Sequence, residues 1–441
     1  MAQRPGSYLF LNATILDGAE HMEPRPGMAV TIDDGRITSI VPSAFAITPP
    51  LAKVIDLHGG YLMPGLVDLD SHLSGSGALA GRTGGRARSD GVLGRLSKEN
   101  AVKEGAQREL AAGTTCVLAA GDPSASDITV RDSIEVERYP GPRLLAPSSR
   151  ISGPGTGSGG SAADEAATPE EARALVREAV VDGADVIELS LGGGAAPRMP
   201  LEVAREVCRT AHRFGKRVMA HARDAEGVRT ALLAGVDVVE QGAPLTDELR
   251  ALYRGTSGEH LPAGRPGLVC SVVPALVRVA GGAGDEPTSL RKEDASELLR
   301  LVQSARDAIE GGIPVGIGSG AGVEGVPHDG MWRALTLFQR CTGVSNASVL
   351  HSATQVNAGL AGLGERSGTV VEGGVADLVV CDADPLEDLR QLRRVRYVMV
   401  RGVLVEKLHV KRRSEPMIGL DRAMELDVDD ALERCRTLIR D

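Results

Sequence analysis

The sequence is poor in aromatic residues, which make up only 2% of its 441 residues. A core of Ala, Val, Leu and Ile is therefore expected, and contents of 42% hydrophobic and 24% charged residues are typical of a globular protein. The sequence also lacks an excess of basic charge, because its net charge is −10. This balance argues against sequence-independent nucleic-acid binding, which needs a positive surface.

Long apolar runs and paired cysteines are missing as well. No run reaches the ~18 apolar residues of a membrane span, and the first residues contain no apolar signal segment. We therefore expect a cytoplasmic protein without membrane association. The six cysteines are scattered and form no C-x-x-C pair. That pattern favours reduced, partly buried thiols over a disulfide framework or a zinc knuckle.

The chain divides into a strand region, a mixed region and a second strand region. Residues 7–56 contain short strands, and Asp33-Asp34-Gly35 predicts a hairpin turn between two of them. From about residue 62, strands alternate with helices, one of which is marked by the N-cap signature Thr168-Pro169-Glu170-Glu171. Such alternation predicts a parallel sheet, and the number of units suits a closed (β/α)8 barrel. Residues 365–406 again have the pattern of strands.

The remaining segments are a charged tail and two glycine-rich loops. A helix is predicted at Asp429–Ile439, packed either on its own chain or on a partner. Residues 73–95 and Ser152–Ser161 are rich in Gly and Ser and follow predicted barrel strands. Active-site lids and flexible linkers are both consistent with that composition. The arginines of the first loop are best interpreted as solvated.

The most informative segment is Pro64-Gly65-Leu66-Val67-Asp68-Leu69-Asp70-Ser71-His72. Residues i and i+2 of a strand point to the same side, so Asp70 and His72 could act on one ion or substrate. Ala111-Ala112-Gly113-Thr114-Thr115 and Ala353-Thr354-Gln355-Val356-Asn357-Ala358 are two further motifs, and Asp384-Pro385-Leu386 follows them. Together these segments resemble the amidohydrolase superfamily, whose opening motif is P-G-[LI]-[IV]-D-x-H-x-H, and within it the imidazolonepropionase and prolidase-type subgroup.

The resemblance implies an α/β fold, a (β/α)8 TIM-like barrel with a composite β-sandwich formed from the N- and C-terminal segments. We expect the sandwich to comprise residues 1–60 and 365–410. The barrel is expected at residues 61–364, and a C-terminal helical tail at residues 411–441.

The resemblance also implies where metal ligands would lie. The two histidines of H-x-H fall on Asp70 and His72, and the bridging lysine, usually carbamylated, falls on Glu188. The third ligand histidine matches His221 in Val218-Met219-Ala220-His221-Ala222. Two histidines and two carboxylates are an adequate set for one Zn, Mn or Fe ion.

At two further positions implied by the resemblance, the residue in this sequence cannot take the role of the family's residue. The fourth ligand histidine falls on Gln241, a weak neutral ligand, and the aspartate that acts as general base falls on Gly320, which has no side chain. A binuclear site is therefore not expected. Glu240 is a nearby carboxylate, but alternation along a strand predicts that it points away from the pocket when Gln241 points in. We predict no metal or one divalent metal, with none slightly favoured.

These residues support two functional hypotheses. In the first, Asp70, His72, Glu188 and His221 are the catalytic residues of an enzyme that acts on a small polar molecule. The resemblance implies hydrolysis of a non-peptide C–N bond of the cyclic amide type, and the same groups could support metal-free lyase, isomerase or cyclase chemistry. In the second hypothesis the protein is a catalytically inactive binding or scaffold protein.

The remaining candidates concern substrate and assembly. Gln241, Ser319 and His328 are candidate substrate-binding residues, although a structural role is favoured for His328. A small-molecule substrate, no nucleic acid and a homo-oligomer are expected.

Overall fold

The computed structural model describes residues 6–75, 77, 92–120, 125–147, 149–155, 163–192, 197–255, 265–282, 288–364, 366–405, 408, 410 and 417–440. The strands in these ranges are β1 (Tyr8–Ile15), β2 (Arg25–Asp33), β3 (Arg36–Pro42), β4 (Lys53–Asp56), β5 (Tyr61–Pro64), β6 (Leu66–Ser71), β7 (Thr114–Ala119), β8 (Arg143–Leu145), β9 (Arg150–Ser152), β10 (Ala163–Glu165), β11 (Val186–Ser190), β12 (Arg217–Ala222), β13 (Val238–Gln241), β14 (Gly267–Cys270), β15 (Val315–Ile317), β16 (Leu378–Cys381), β17 (Val395–Val400) and β18 (Val403–Leu404). The helices are α1 (Val92–Ala111), α2 (Ser126–Glu135), α3 (Pro169–Val181), α4 (Leu201–Arg213), α5 (Ala225–Ala234), α6 (Asp247–Arg254), α7 (Val273–Val279), α8 (Lys292–Glu310), α9 (Met331–Thr342), α10 (Asn346–His351), α11 (Asn357–Leu360), α12 (Ile418–Glu425) and α13 (Val428–Arg440).

The middle of the chain forms the predicted (β/α)8 barrel. Strands β6, β7 and β8 run parallel in one group, and β9 and β11 to β15 run parallel in a second. The bridge between Pro147 and Val186 joins the groups on one side, and the bridge between Ser71 and Ala321 joins them on the other. Because β8 and β9 follow each other as two parts of the third barrel strand, the sheet closes on itself.

Both ends of the chain contribute to a second sheet, as predicted. Its order is β18-β17-β16-β5-β1-β2-β3, with β4 beside β1. The link is β16, which pairs antiparallel with β5, so that Leu378 lies opposite Pro64 and Cys381 lies opposite Tyr61. The composite architecture is therefore confirmed, whereas the exact domain bounds stay predictions.

Local signals in the sequence correspond to the structure closely. The hydroxyl of Thr168 accepts from the backbone N–H of Glu171 at 3.2 Å, and the Glu171 carboxylate accepts from the backbone N–H of Thr168 at 3.1 Å. These two bonds are the capping box that starts α3. The hairpin turn is confirmed by positive φ angles at Asp34 and Gly35. The thiols of all six cysteines are free and buried.

The C-terminal tail packs on its own chain. Helix α13 lies against α8, and Leu432 and Cys435 are fully buried in the main core. No helix within the described ranges is long and apolar enough to cross a membrane. Most of the two predicted glycine-rich loops, including residues 78–91 and 156–161, falls outside the described residues. Helix α1 begins at Val92, where the first loop was predicted to continue.

Candidate active site

The polar side chains of the barrel converge because parallel strands place their carboxyl ends at one rim. Register pairs Ser190 with His221 on β11 and β12, and His221 with Glu240 on β12 and β13. Glu188 lies two residues before Ser190 and so shares the face of these side chains. This rim is the location of active sites in barrel enzymes.

Asp70 and His72 form the first polar pair of the rim. The Nε2 atom of His72 lies 3.7 Å from Oδ1 of Asp70, and the hydroxyl of Ser271 donates to Oδ2 of Asp70 at 2.6 Å. The His72 side chain is 40% exposed and the Asp70 side chain 23%. This pair is therefore accessible to a small molecule from solvent.

Glu188 is held by an arginine that the sequence analysis missed. Arg150 on β9 donates from Nε to Oε1 of Glu188 at 3.0 Å, and a second guanidinium nitrogen donates to the same oxygen. Ile151 pairs with Leu189 across β9 and β11, so the register sets Arg150 beside Glu188. The Glu188 side chain is 5% exposed, and its Oε2 atom is buried without a hydrogen-bond partner among the described residues.

His221 and Glu240 form the second polar pair. Nδ1 of His221 lies 3.6 Å from Oε2 of Glu240, and Nε of Arg223 donates to Nε2 of His221 at 3.0 Å. That donation leaves the His221 proton on Nδ1, directed towards Glu240. Burial, and then the Arg150 charge, lower the pKa of His221 well below its usual range. Burial, and then the charge of Glu188, raise the pKa of Glu240 well above its usual range.

The prediction that Glu240 points away from the pocket is wrong. Glu240 pairs in register with His221, and side chains paired across parallel strands lie on the same face of the sheet. Gln241 has a φ angle of 70°, so the strand alternation that was used for the prediction does not extend to it.

The three residues predicted to bind substrate are placed differently from one another. Gln241 ends β13, and its Oε1 atom is buried without a partner in the described part of the chain. Ser319 is buried, with its hydroxyl accepting from the N–H of Ala321 at 3.0 Å. His328 is also buried, and its Nε2 lies 3.3 Å from the carbonyl oxygen of His72. Substrate binding by these residues stays a prediction.

The position at which the resemblance places the family's general base is closed to side chains. Gly320 has a φ angle of 65°, and a Cβ atom there would lie 2.5 Å from Cγ of Pro274. Pro274 belongs to the first turn of α7, which packs over this point. The ring of Pro274 therefore fills the space that a side chain at position 320 would need.

Below the rim lies a pair of buried acids. Oδ1 of Asp68 accepts from the backbone N–H groups of Asp70 at 3.0 Å and Ser319 at 2.9 Å, which ties the first barrel strand to the loop after the last. Burial raises the pKa of Asp68 to about 7. Glu109 on α1 is also buried, and burial followed by the charge of Asp68 raises its pKa well above its usual range.

A divalent metal is the group that the resemblance to amidohydrolases implies for this pocket, and the donor atoms do not fit it as they are arranged. Oε1 of Glu188 is occupied by Arg150, Nε2 of His221 by Arg223, and Oδ2 of Asp70 by Ser271. Among the residues that the structure describes, no three His, Cys, Asp or Glu side chains are grouped so that they could hold an ion.

Comparisons with known proteins agree with this fold. A sequence model described as "Amidohydrolase family" matches residues 61–405. A "putative prolidase" from Bifidobacterium longum is 30% identical with a TM-score of 0.82, over 97% of this chain and 99% of that one. No curated protein is a significant match to the chain.

Two more distant structures share the fold. A Xaa-Pro dipeptidase with bound methionine in the active site is 24% identical with a TM-score of 0.76, over 91% of this chain and all of that one. The ochratoxinase of A. niger is 19% identical with a TM-score of 0.73, over 90% of this chain and 96% of that one.

Proposed function

The chain belongs to the amidohydrolase family, and from that premise we propose that it acts on a C–N bond of a small polar molecule through its own acidic and basic side chains. Enzymes of this family usually bind divalent metals. One donor atom each of Glu188, His221 and Asp70 is engaged with an arginine or a serine instead. The proposed chemistry therefore uses no metal.

The observation that carries the proposal is the presence of two imidazole–carboxyl pairs at one rim. Asp70 and His72 are 3.7 Å apart at the end of the first barrel strand, and His221 and Glu240 are 3.6 Å apart on the fifth and sixth strands of the barrel wall. Opposing acid and base groups are what hydrolysis of an amide needs, because water must lose a proton and the leaving nitrogen must gain one.

The exposure of the two pairs favours one assignment of roles. His72 is the more exposed imidazole, so we assign it to take the proton from an incoming water, with Asp70 orienting the ring. Glu240 is only 14% exposed, and we assign it to donate a proton to the leaving nitrogen, with His221 as its neighbour. Catalysis by positioned acids and bases contributes roughly 10²–10⁴-fold each.

We propose a cyclic amide or imide-like molecule as the substrate class. The resemblance of the sequence implies that class, and the likeness to a "putative prolidase" from B. longum supports hydrolysis of a C–N bond in general. The resemblance places the family's general base at Gly320, which has no side chain, so the proposed reaction takes its base from the two imidazole–carboxyl pairs. As the alternative chemistry of the same acids and bases we propose a metal-free lyase, isomerase or cyclase reaction, which needs only proton transfer between positioned groups.

A specific observation favours the alternative of an inactive binding protein. Glu188 and His221 are both bonded to arginines of the same chain, which is how a pocket that no longer reacts would be stabilised. In that case the small molecule or partner would bind without turnover.

Activity screening separates these functions. The purified protein is assayed with cyclic amides, cyclic imides, ureas, N-acyl amino acids and Xaa-Pro dipeptides, before and after dialysis against a chelator. We expect turnover of a cyclic substrate that survives the chelator and is lost in His72→Asn and Glu240→Gln. Turnover that is unchanged in both variants would refute the assignment, and binding without any turnover would favour the inactive protein.

A further inference from the structure

We propose that the guanidinium of Arg150 is a built-in cation that takes the place of the metal, and that the acids and imidazoles around it form a latent metal site. The inference concerns charge and binding, and it does not rest on the proposed reaction. It would hold for an inactive protein as well.

The first argument is the direct bond of Arg150. Glu188 stands where the resemblance places the family's metal-bridging lysine, and both donors from Arg150 converge on its Oε1 atom. A guanidinium is always charged and matches a carboxylate geometrically, so it can hold the position that an ion would occupy. Register fixes this placement, because Ile151 pairs with Leu189 and Arg150 therefore lies beside Glu188.

The second argument is the charge of the whole pocket. Asp70, Glu188 and Glu240 are three carboxyl groups at one rim, and all three interact electrostatically with Arg150. Buried carboxylates without a counter-charge are costly, whether that charge is an ion or an arginine. Among the described residues, Arg150 is the cation that hydrogen-bonds to Glu188.

The third argument is what remains when the guanidinium is removed. Glu188 would keep two free oxygens, since its Oε2 atom already lacks a partner, and Glu240 and His221 would face the vacated volume. Two carboxylates and an imidazole are a usual ligand set for Zn²⁺ or Mn²⁺. Metal binding displaces protons from its ligands, so an ion there would replace the proton on Nδ1 of His221, the nitrogen that faces Glu240, while Nε2 keeps its bond from Arg223. Arg150→Ala is therefore expected to create a site that the wild-type chain does not offer.

Metal binding to purified variants tests the proposal. Titration with Zn²⁺ or Mn²⁺, followed by calorimetry, is compared for the wild type and Arg150→Ala. We expect Arg150→Ala to bind about one ion per chain, at least ~100-fold more tightly than the wild type. Its Tm is expected to be lower than that of the wild type without metal and to rise when metal is added, because an ion that binds only the folded state stabilises it.

A matched control separates this site from unspecific binding. Arg278 pairs with Asp294 and Glu297, so Arg278→Ala also removes a guanidinium from two carboxylates, of which Asp294 keeps its pair with Arg291, and it offers no imidazole. We expect no tight ion there. Arg150→Lys, which keeps the charge, is expected to behave like the wild type, and the double variant Arg150→Ala/Glu188→Gln is expected to bind no ion.

Two results would overturn the inference. The first is a folded Arg150→Ala that binds metal no better than Arg278→Ala. The second is a wild-type chain that binds one or two ions tightly and loses them in Glu188→Gln. If Arg150→Ala does not fold alone, refolding is compared with and without Zn²⁺. Recovery only with the ion supports the inference, and failure in both conditions while the double variant folds contradicts it.

Discussion

At the scale of single residues, the pocket depends on groups that a sequence pattern places only in part. The resemblance was sufficient to find Asp70, His72, Glu188 and His221, which the structure brings to one rim. Arg150 was not found, because its position depends on strand register, and Glu240 was wrongly predicted to point away, because the backbone turn at Gln241 breaks the alternation of β13. Register is set by packing across the barrel and is not readable from one segment.

The Glu240 assignment can be tested by amide substitution. Glu240→Gln keeps the shape of the side chain and removes its proton donor, so kcat is expected to fall by roughly 10²–10⁴-fold on the screened substrate. Glu226→Gln, an exposed change on α5, is the matched control and should leave kcat unchanged. Equal activity in both variants would remove Glu240 from the mechanism.

The closed position at Gly320 leads to a stability prediction. Gly320→Ala would bring Cβ to 2.5 Å from Pro274, and it would also strain the positive φ angle. Gly343→Ala is the matched control, since Gly343 also has a positive φ but nothing within 4 Å of a Cβ. By urea denaturation we expect a loss of about 1 kcal/mol at Gly343 and a further ~1–3 kcal/mol at Gly320. Equal losses of unfolding free energy in the two variants would show that the contact between position 320 and Pro274 relaxes without an energetic cost.

At the scale of elements, the motif Ala353-Thr354-Gln355-Val356-Asn357-Ala358 has a clear structural role. A π-helical turn, Ser352–Val356, joins α10 to α11 and places Asn357 beside the barrel strands. The Asn357 amide donates to the carbonyls of Val67 at 2.6 Å and Ile317 at 2.8 Å, and its oxygen accepts from the N–H of Ile317 at 3.0 Å. The first and last barrel strands are therefore clamped by one side chain.

Removing this clamp should cost more than removing an ordinary asparagine bond. Asn357→Ala leaves buried backbone groups unpaired, and we expect unfolding free energy to fall by about 3 kcal/mol. Asn346→Ala, which removes one bond to the Leu386 carbonyl, is expected to cost about 1 kcal/mol. Denaturation of both variants under the same conditions would show equal losses if the clamp were unimportant.

The elements themselves were largely predictable, because their signals are local. The capping box at Thr168 marked the start of α3, and Asp429–Ile439 is observed as Val428–Arg440. The break of the third barrel strand into β8 and β9 was not predicted. It depends on pairing with β7 on one side and β11 on the other, which are distant in sequence.

At the scale of the molecule, the barrel carries a buried acidic pair beneath its rim. Asp68 and Glu109 are both buried, and the hydroxyl of Ser71 donates to Glu109 at 3.0 Å. Besides burial, the charge of Asp329 also raises the pKa of Glu109.

The cytoplasmic location and the homo-oligomer stay predictions. The closed sheet and the composite second sheet are settled by pairings between distant segments.

The buried acids should make stability depend on pH. The folded state holds the Glu109 proton more tightly than the unfolded chain, because its pKa is raised by burial. This difference stabilises the folded state fully below the usual glutamate pKa. The stabilisation is lost as the pH rises towards the raised pKa of Glu109. Glu109→Gln is expected to flatten the profile above the usual glutamate pKa, where the wild type loses this stabilisation.

The exposed neighbour on the same helix is the control for this profile. Glu104→Gln removes a carboxylate that is 51% exposed and should leave the slope unchanged. Identical slopes in the wild type and Glu109→Gln, measured by denaturation at several pH values, would contradict the role of the buried pair.

Elemental analysis of the wild-type protein tests the central claim most directly. The protein is produced in medium supplemented with Zn, Mn and Fe, purified without chelator, and measured for metal per chain. Because Arg150, Arg223 and Ser271 occupy the donor atoms, we predict well under one ion per chain. Two ions per chain, lost on Glu188→Gln, would contradict the account.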